Sequence, residues 1–176
     1  MSKRKRTPGG VHRSSLRRPG GTRAKESPQI FLQAVGRYRQ GELAEAEQLC
    51  KALLHTHPDN FDALSLLGVI AQQTGRTQEA IDLLSKATAG NPLNVHAHSV
   101  LGNVFSNGGR YQDAVSIYDC AIKLKPGDTD AHYNRGTVLY KLKRYDEAPE
   151  SFDRVLQIDP AHVDGLCQSW RGAAGT

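Results

Sequence analysis

Three cysteines, Cys50, Cys120 and Cys167, are all that this chain of 176 residues contains. Their number is odd and no CxxC pair occurs, which excludes a disulfide framework or a zinc ribbon as the organising device. A reducing, cytoplasmic setting fits that usage. Nowhere do apolar residues run for the roughly 20 positions that a bilayer-spanning helix needs, and no apolar run follows the N-terminal charges as a secretory signal requires. Neither a membrane span nor export is expected. Acidic residues are missing from positions 1–25, which hold nine of the 23 Lys and Arg; the rest of the chain carries 14 basic against 18 acidic residues, a net charge of −4. Aromatic residues are missing from the same stretch, so it offers no platform for base stacking. With its Gly, Pro, Ser and Arg and almost no large apolar side chain, "MSKRKRTPGGVHRSSLRRPGGTRAKE" cannot offset the entropy of ordering. Residues 1–26 are expected to form a disordered basic arm on a mildly acidic body.

A recognisable catalytic pattern is lacking too. The glycines of "GNVFSNGG", residues 102–109, are followed by Arg110-Tyr111 and not by Lys and Ser or Thr, and they do not follow a GxGxxG order, so a phosphate loop is excluded. His55 and His57, like His96 and His98, stand two apart, which on a helix turns them about 200° from one another and prevents a shared metal. No nucleophile lies in a pattern with a base. No catalytic residue, metal ligand or cofactor is therefore assigned, and an enzyme is not expected.

What the chain does contain is itself, four times. A shift of 34 residues superposes Ala34, Gly68, Gly102 and Gly136, then Ala46, Ala80, Ala114 and Ala148, then Pro58, Pro92, Pro126 and Pro160. Gly41, Gly75 and Gly109 form a further set, with Lys143 in the last place. Between these markers apolar residues recur three and four apart, as in Leu64, Leu67 and Ala71 and again in Ala80, Leu83, Leu84 and Ala87, which predicts two amphipathic helices per unit. Small residues at the Gly102-type and Ala114-type positions allow close helix approach, and the closing proline cannot continue a helix. "GNVFSNGG" is then the second half of a helix and its turn, with Gly102 a packing residue and Gly108 and Gly109 the bend.

This pattern resembles the tetratricopeptide repeat, with a small residue at position 8, Ala at 20 and Pro at 32 of each 34-residue unit. The resemblance covers 27–162 as units 27–60, 61–94, 95–128 and 129–162, and it implies an all-α superhelical solenoid. Gln33 and Arg37 replace apolar residues in the first unit, as suits a terminal repeat with an uncovered face. Pro149 sits just after Ala148 and predicts a late start or a kink in the last second helix. Residues 163–176 begin like a fifth unit but put Trp170 where the others have a small residue. Either they form a modified capping segment or the array has been cut and altered there.

By the same resemblance, the first helices of the units line a concave groove that takes an extended peptide or a partner helix. The family's groove positions carry over to Phe31, Leu32, Val35, Tyr38 and Arg39; to Asp62, Ser65, Leu66, Val69, Gln72 and Gln73; to His96, Ser99, Val100, Asn103, Ser106 and Asn107; and to Asp130, Tyr133, Asn134, Thr137, Tyr140 and Lys141. Leu66, Val69 and Val100 could equally pack between neighbouring pairs. Tyr38, Asn103, Asn134, Tyr140 and Lys141 suit contact with a peptide backbone. His98 and His132 fall on a packing position, as does Cys50. The carboxylate clamp of some chaperone-binding relatives is not formed, because Phe31, Val35, Leu66, His96 and Val100 occupy its places.

The expected role is a non-catalytic protein-interaction scaffold. Two alternatives remain. The units are similar to the repeat arm of O-linked N-acetylglucosamine transferases, whose ladder of asparagines is matched here only by Asn134, with Asn103 displaced. The chain would then be a shortened relative, since the 14 residues after position 162 cannot hold a sugar-nucleotide domain. Alternatively, residues 1–25 could make weak, salt-dependent contact with nucleic acid.

Overall fold

Asparagine or aspartate opens three of the four first helices, and glycine or lysine closes all four. In the computed structural model, which describes residues 23–160, with side chains from Ser27 onward, the chain is all helix and turn. The eight helices among the described residues are α1 (Arg23–Arg39), α2 (Leu43–Thr56), α3 (Phe61–Gln73), α4 (Thr77–Gly90), α5 (Val95–Asn107), α6 (Tyr111–Leu124), α7 (Thr129–Lys141) and α8 (Ala148–Ile158). They pair as α1/α2, α3/α4, α5/α6 and α7/α8. Each pair packs on the next, and the odd-numbered helices also touch one another in series. That is the tetratricopeptide solenoid. Residues 1–22 and 161–176 lie outside the described residues, and with them most of the basic arm and the segment around Trp170. Residues 23–26, counted with the arm above, belong to α1, which continues through Pro28.

Local chemistry explains the boundaries. Asn60, Asn94 and Asp128 cap α3, α5 and α7, each side-chain oxygen accepting from a backbone N–H three residues on, at Ala63, Ala97 and Ala131. At the other end of each first helix the chain turns through one residue with positive φ: Gly41 (81°), Gly75 (78°), Gly109 (73°) and Lys143 (61°). The N–H of the next residue reaches back to the carbonyl five positions earlier, as Glu42 to Arg37 and Arg110 to Phe105. This closure satisfies carbonyls that the helix end leaves open. α8 starts at Ala148 with Pro149 in its first turn, three residues later in register than α2, α4 and α6, so the proline is accommodated by a late start.

Within a pair, volume is traded across one contact. A Cβ added at Gly68 would stand 2.6 Å from Leu84, at Gly102 2.6 Å from Tyr118, and at Gly136 2.9 Å from Phe152. In the first pair the same two places hold Ala34 and Cys50, both fully buried. The small residue is thus paired with a large one, and alanine appears where its partner shrinks. The central core runs through Leu84, Leu101, Val104, Tyr118, Val138 and Leu139. Between the first two pairs Arg76 reaches Glu47, and this contact together with Lys51 holds the Glu47 carboxyl at about 2.

Candidate functional site: a concave groove on the first helices

The expected groove residues fall into three groups. Phe31, Val35, Tyr38 and Arg39 of α1 face Asp62, Ser65, Leu66, Val69 and Gln72 of α3 across a cavity of about 390 Å³, closed on its far side by Asn94, His96 and Val100. Leu66 and Val100 are half-buried and pack on the cores of their neighbours as well, so each serves both the stack and the cavity. Ser65 is buried, its hydroxyl donating to the Phe61 carbonyl at 2.8 Å. Gln73 stands beside this cavity, donating from Nε2 to the Tyr38 hydroxyl at 2.6 Å. That bond ties the first repeat to the second across the groove face.

A second cavity, of about 440 Å³, continues the first, sharing His96 and Val100 with it. Apart from Val95 and Val100 its lining is polar: Ser99 and Asn103 from α5, Asp130 and Asn134 from α7, and Lys125 with Asp128 at the connection. Asn103 Oδ1 accepts from the Tyr118 hydroxyl at 2.6 Å and from Asn134 Nδ2 at 3.2 Å. Burial pushes the Tyr118 phenol well above its usual range, which keeps it a donor. Two asparagines are thereby fixed side by side at the groove floor. The groove therefore grades from an apolar half on α1 and α3 to a polar half on α5 and α7.

Other expected residues lie outside these two cavities. Tyr133 faces Phe152 of α8, ring centroids 5.9 Å apart. Tyr140 stands edge-on to Tyr145 at 5.1 Å, and Lys141 Nζ sits 5.3 Å over the Tyr111 ring. Asn107 and Leu32 are exposed. His98 and His132 are packing residues, each ring nitrogen donating to a carbonyl at 2.9 Å, of Asn94 and Pro126 respectively. Burial raises the Cys50 thiol to about 11, leaving it protonated, whereas Cys120 is exposed. Among the described residues no three His, Cys, Asp or Glu side chains gather as a metal cage.

One feature of the back of the solenoid escaped the sequence reading. A cleft of about 270 Å³ between α6, α7 and α8 is lined by Asp119, Lys123, Arg135, Glu150, Ser151 and their neighbours. Arg135 bridges it, donating from Nε to Asp119 at 2.6 Å and from Nη1 to Ser151 at 2.7 Å. The signal was available: positions 7 and 23 of the unit read Leu67 and Leu83, then Leu101 and Ile117, and then Arg135 and Ser151.

The stacked helix pairs and their shared face define a class of repeat protein built for surface contact. Two tetratricopeptide-repeat family models match consecutive stretches, residues 37–104 and 99–163, and the chain belongs to that family. In fold it is similar to MamA, with a TM-score of 0.74 at 23% identity over 80% of this chain and 82% of that one. It is also similar to YrrB, described as a TPR protein with an unusual peptide-binding site, with a TM-score of 0.72 at 21% identity over 83% and 75%. A third likeness is to the O-GlcNAc transferase of Thermobaculum terrenum, with a TM-score of 0.64 at 28% identity over 68% of this chain and 23% of the enzyme. A search of curated protein sequences gives no match.

Proposed function

We propose that this protein is a non-catalytic scaffold, acting in the cytoplasm, whose concave face binds an extended peptide or a partner helix. The observation that carries this reading is the continuity of the two cavities, joined through His96 and Val100 across the three helices α1, α3 and α5 and on to α7. A single enclosed pocket would suit a small molecule; a trough that crosses several repeats suits a chain. The peptide-binding site named for YrrB supports the same use of the fold. The likeness to an O-GlcNAc transferase concerns a part that covers 23% of that enzyme. No helix among the described residues is long and apolar enough to cross a membrane.

The test is capture from a lysate by the full chain and by a Val69→Arg/Val100→Arg variant, washed at high salt, with helicity checked by circular dichroism. A discrete protein retained by the wild type and lost by the equally helical variant is the expected result. Retention by both would move the binding surface off the groove. Nucleic acid released by salt from both would favour the basic arm instead.

A further inference from the structure

Position 2 of successive units places Asp62, His96 and Asp130 in the first turns of α3, α5 and α7. These three residues form a row along one rim of the concave face, Asp62 on the first cavity, Asp130 on the second and His96 on both. Neighbouring packed helices stand about 8–10 Å apart, so the two carboxylates lie on the order of 20 Å from one another. Both are exposed, and neither forms an ion pair or a side-chain hydrogen bond among the described residues. Asp128, by contrast, is spent on capping Ala131 and on Lys125. Each carboxylate sits where a helix N-terminus favours negative charge, and the cations lining the two cavities are Arg39, on the α1 wall of the first, and Lys125, which Asp128 engages. Beneath the first of them lies the apolar floor of Phe31, Val35, Leu66 and Val69, and beneath the second the paired amides of Asn103 and Asn134.

Building on the groove function proposed above, we infer that the occupant is an extended basic segment of another protein. It carries a bulky apolar residue close to one Lys or Arg, and a second Lys or Arg about six positions along. The spacing follows from an extended chain advancing about 3.3 Å per residue over the interval between the carboxylates. The apolar residue fills the α1/α3 half. The amides of Asn103 and Asn134 meet the peptide backbone in the other half, whose apolar side chains are limited to Val95 and Val100. Charge complementarity sets which segments enter and how fast, while the apolar half supplies the burial.

The experiment is a selection of randomised decapeptides displayed on phage against the full chain at about 150 mM salt, where exposed charges are screened beyond about 8 Å. Enriched peptides should share the apolar residue and two basic residues about six apart. A labelled representative should bind about tenfold more weakly to Asp62→Lys/Asp130→Lys, a loss of about 1.4 kcal/mol. It should bind normally to Asp82→Lys/Asp153→Lys, which reverses two exposed acids on second helices. Acidic or uncharged peptides that are nevertheless lost on Val69→Arg/Val100→Arg would overturn the charge pattern and leave the groove standing. Peptides indifferent to that groove variant, or no enrichment at all, would overturn both. A synthetic peptide of residues 1–22 that binds as tightly as the selected ones, through the same aspartates, would make the chain's own arm the occupant and overturn a partner in trans.

Discussion

The third and fourth repeats pair their helices in the same register, apart from the late start of α8, and join them by opposite chemistry. In the third, Leu101 of α5 is 2% exposed within the central core, and Ile117 of α6 packs against the same cluster. One repeat further on, the equivalent places hold Arg135 and Ser151, and Ser151 is 1% exposed. A cation survives in such a place only when its donors find acceptors. Asp119 of α6 supplies one, and the place it occupies is filled by Ser85 one repeat earlier. The repeat thus dictates where the helices cross and leaves the chemistry of the crossing free, provided a polar replacement arrives as a set.

The sharpest way to break that comparison is to move one member of the set. Leu101→Arg puts a guanidinium into the third repeat opposite Ser85, with no carboxylate to receive it. We expect a loss of about 3–5 kcal/mol, the cost of a buried charge without its partner. Urea unfolding measures it. The triple variant Leu101→Arg/Ser85→Asp/Ile117→Ser rebuilds the arrangement of the fourth repeat and should recover at least half of the loss. A triple variant as weak as the single one would mean that the fourth repeat tolerates Arg135 for some reason outside these three residues.

A smaller effect tests the trade of volume that both repeats share. Gly102→Ala brings a methyl group to 2.6 Å from the Tyr118 ring, which is 1% exposed and tied at its hydroxyl to Asn103. Overpacking of this kind costs about 1–3 kcal/mol. The first repeat solves the same contact with Ala34 and Cys50. Gly102→Ala combined with Tyr118→Cys should therefore be less damaging than the two separate losses together, by about 1 kcal/mol in a double-mutant cycle. Additivity would show that the two positions do not sense one another.

Smaller still is the net worth of the polar junction. Asp119→Asn keeps the shape and removes the charge that faces Arg135, and should cost about 1.5 kcal/mol, the low end for a hydrogen bond to a charged group. Arg135→Leu/Ser151→Leu, made together with Asp119→Ser so that no carboxylate is left without its partner, restores the apolar pairing of the second and third repeats and should be neutral or stabilising, since apolar replacement of a whole polar set often is. If this combined variant instead loses stability, the cleft on the back of the solenoid has a shape that only the polar set fills.

Much of this architecture could be read from residue spacing. The register of 34, the glycine turns and the late start of α8 at Pro149 each follow from backbone restrictions that a sequence states directly. The groove positions are carried over from the family resemblance and not from the spacing; the structure gathers part of them, among them Val35, Tyr38, Asn103 and Asn134, along two cavities. What could not be read is how those side chains spend their hydrogen bonds. Asn103 and Asn134 look independent in sequence and share one oxygen in space, and Tyr133 and Tyr140 turn to Phe152 and Tyr145 beside the cavities. Such outcomes depend on contacts between helices, where the spacing that defines a repeat carries no information. The Arg135 set was missed for another reason: it appears only when one position is compared down all four units.

The last turn offers the mildest test of the same contrast. Gly41, Gly75 and Gly109 take a positive φ at no steric cost, but Lys143 takes it with a side chain, at φ 61°. A left-handed residue with a Cβ costs about 1–2 kcal/mol. Lys143→Gly removes that cost and gives back part of it, up to about 1 kcal/mol, through the extra freedom of glycine in the unfolded chain. The expected net gain is about 0.5 kcal/mol, read as a small rise in the urea midpoint at an unchanged slope. The reverse substitution, Gly109→Lys, should lose a similar amount, because the same bonds from residues 110 and 144 close both turns. Equal and opposite shifts would mean that the two repeats share one backbone and differ here only in the side chain it must carry; a loss from Lys143→Gly would mean that the lysine contributes a contact of its own to the fourth repeat.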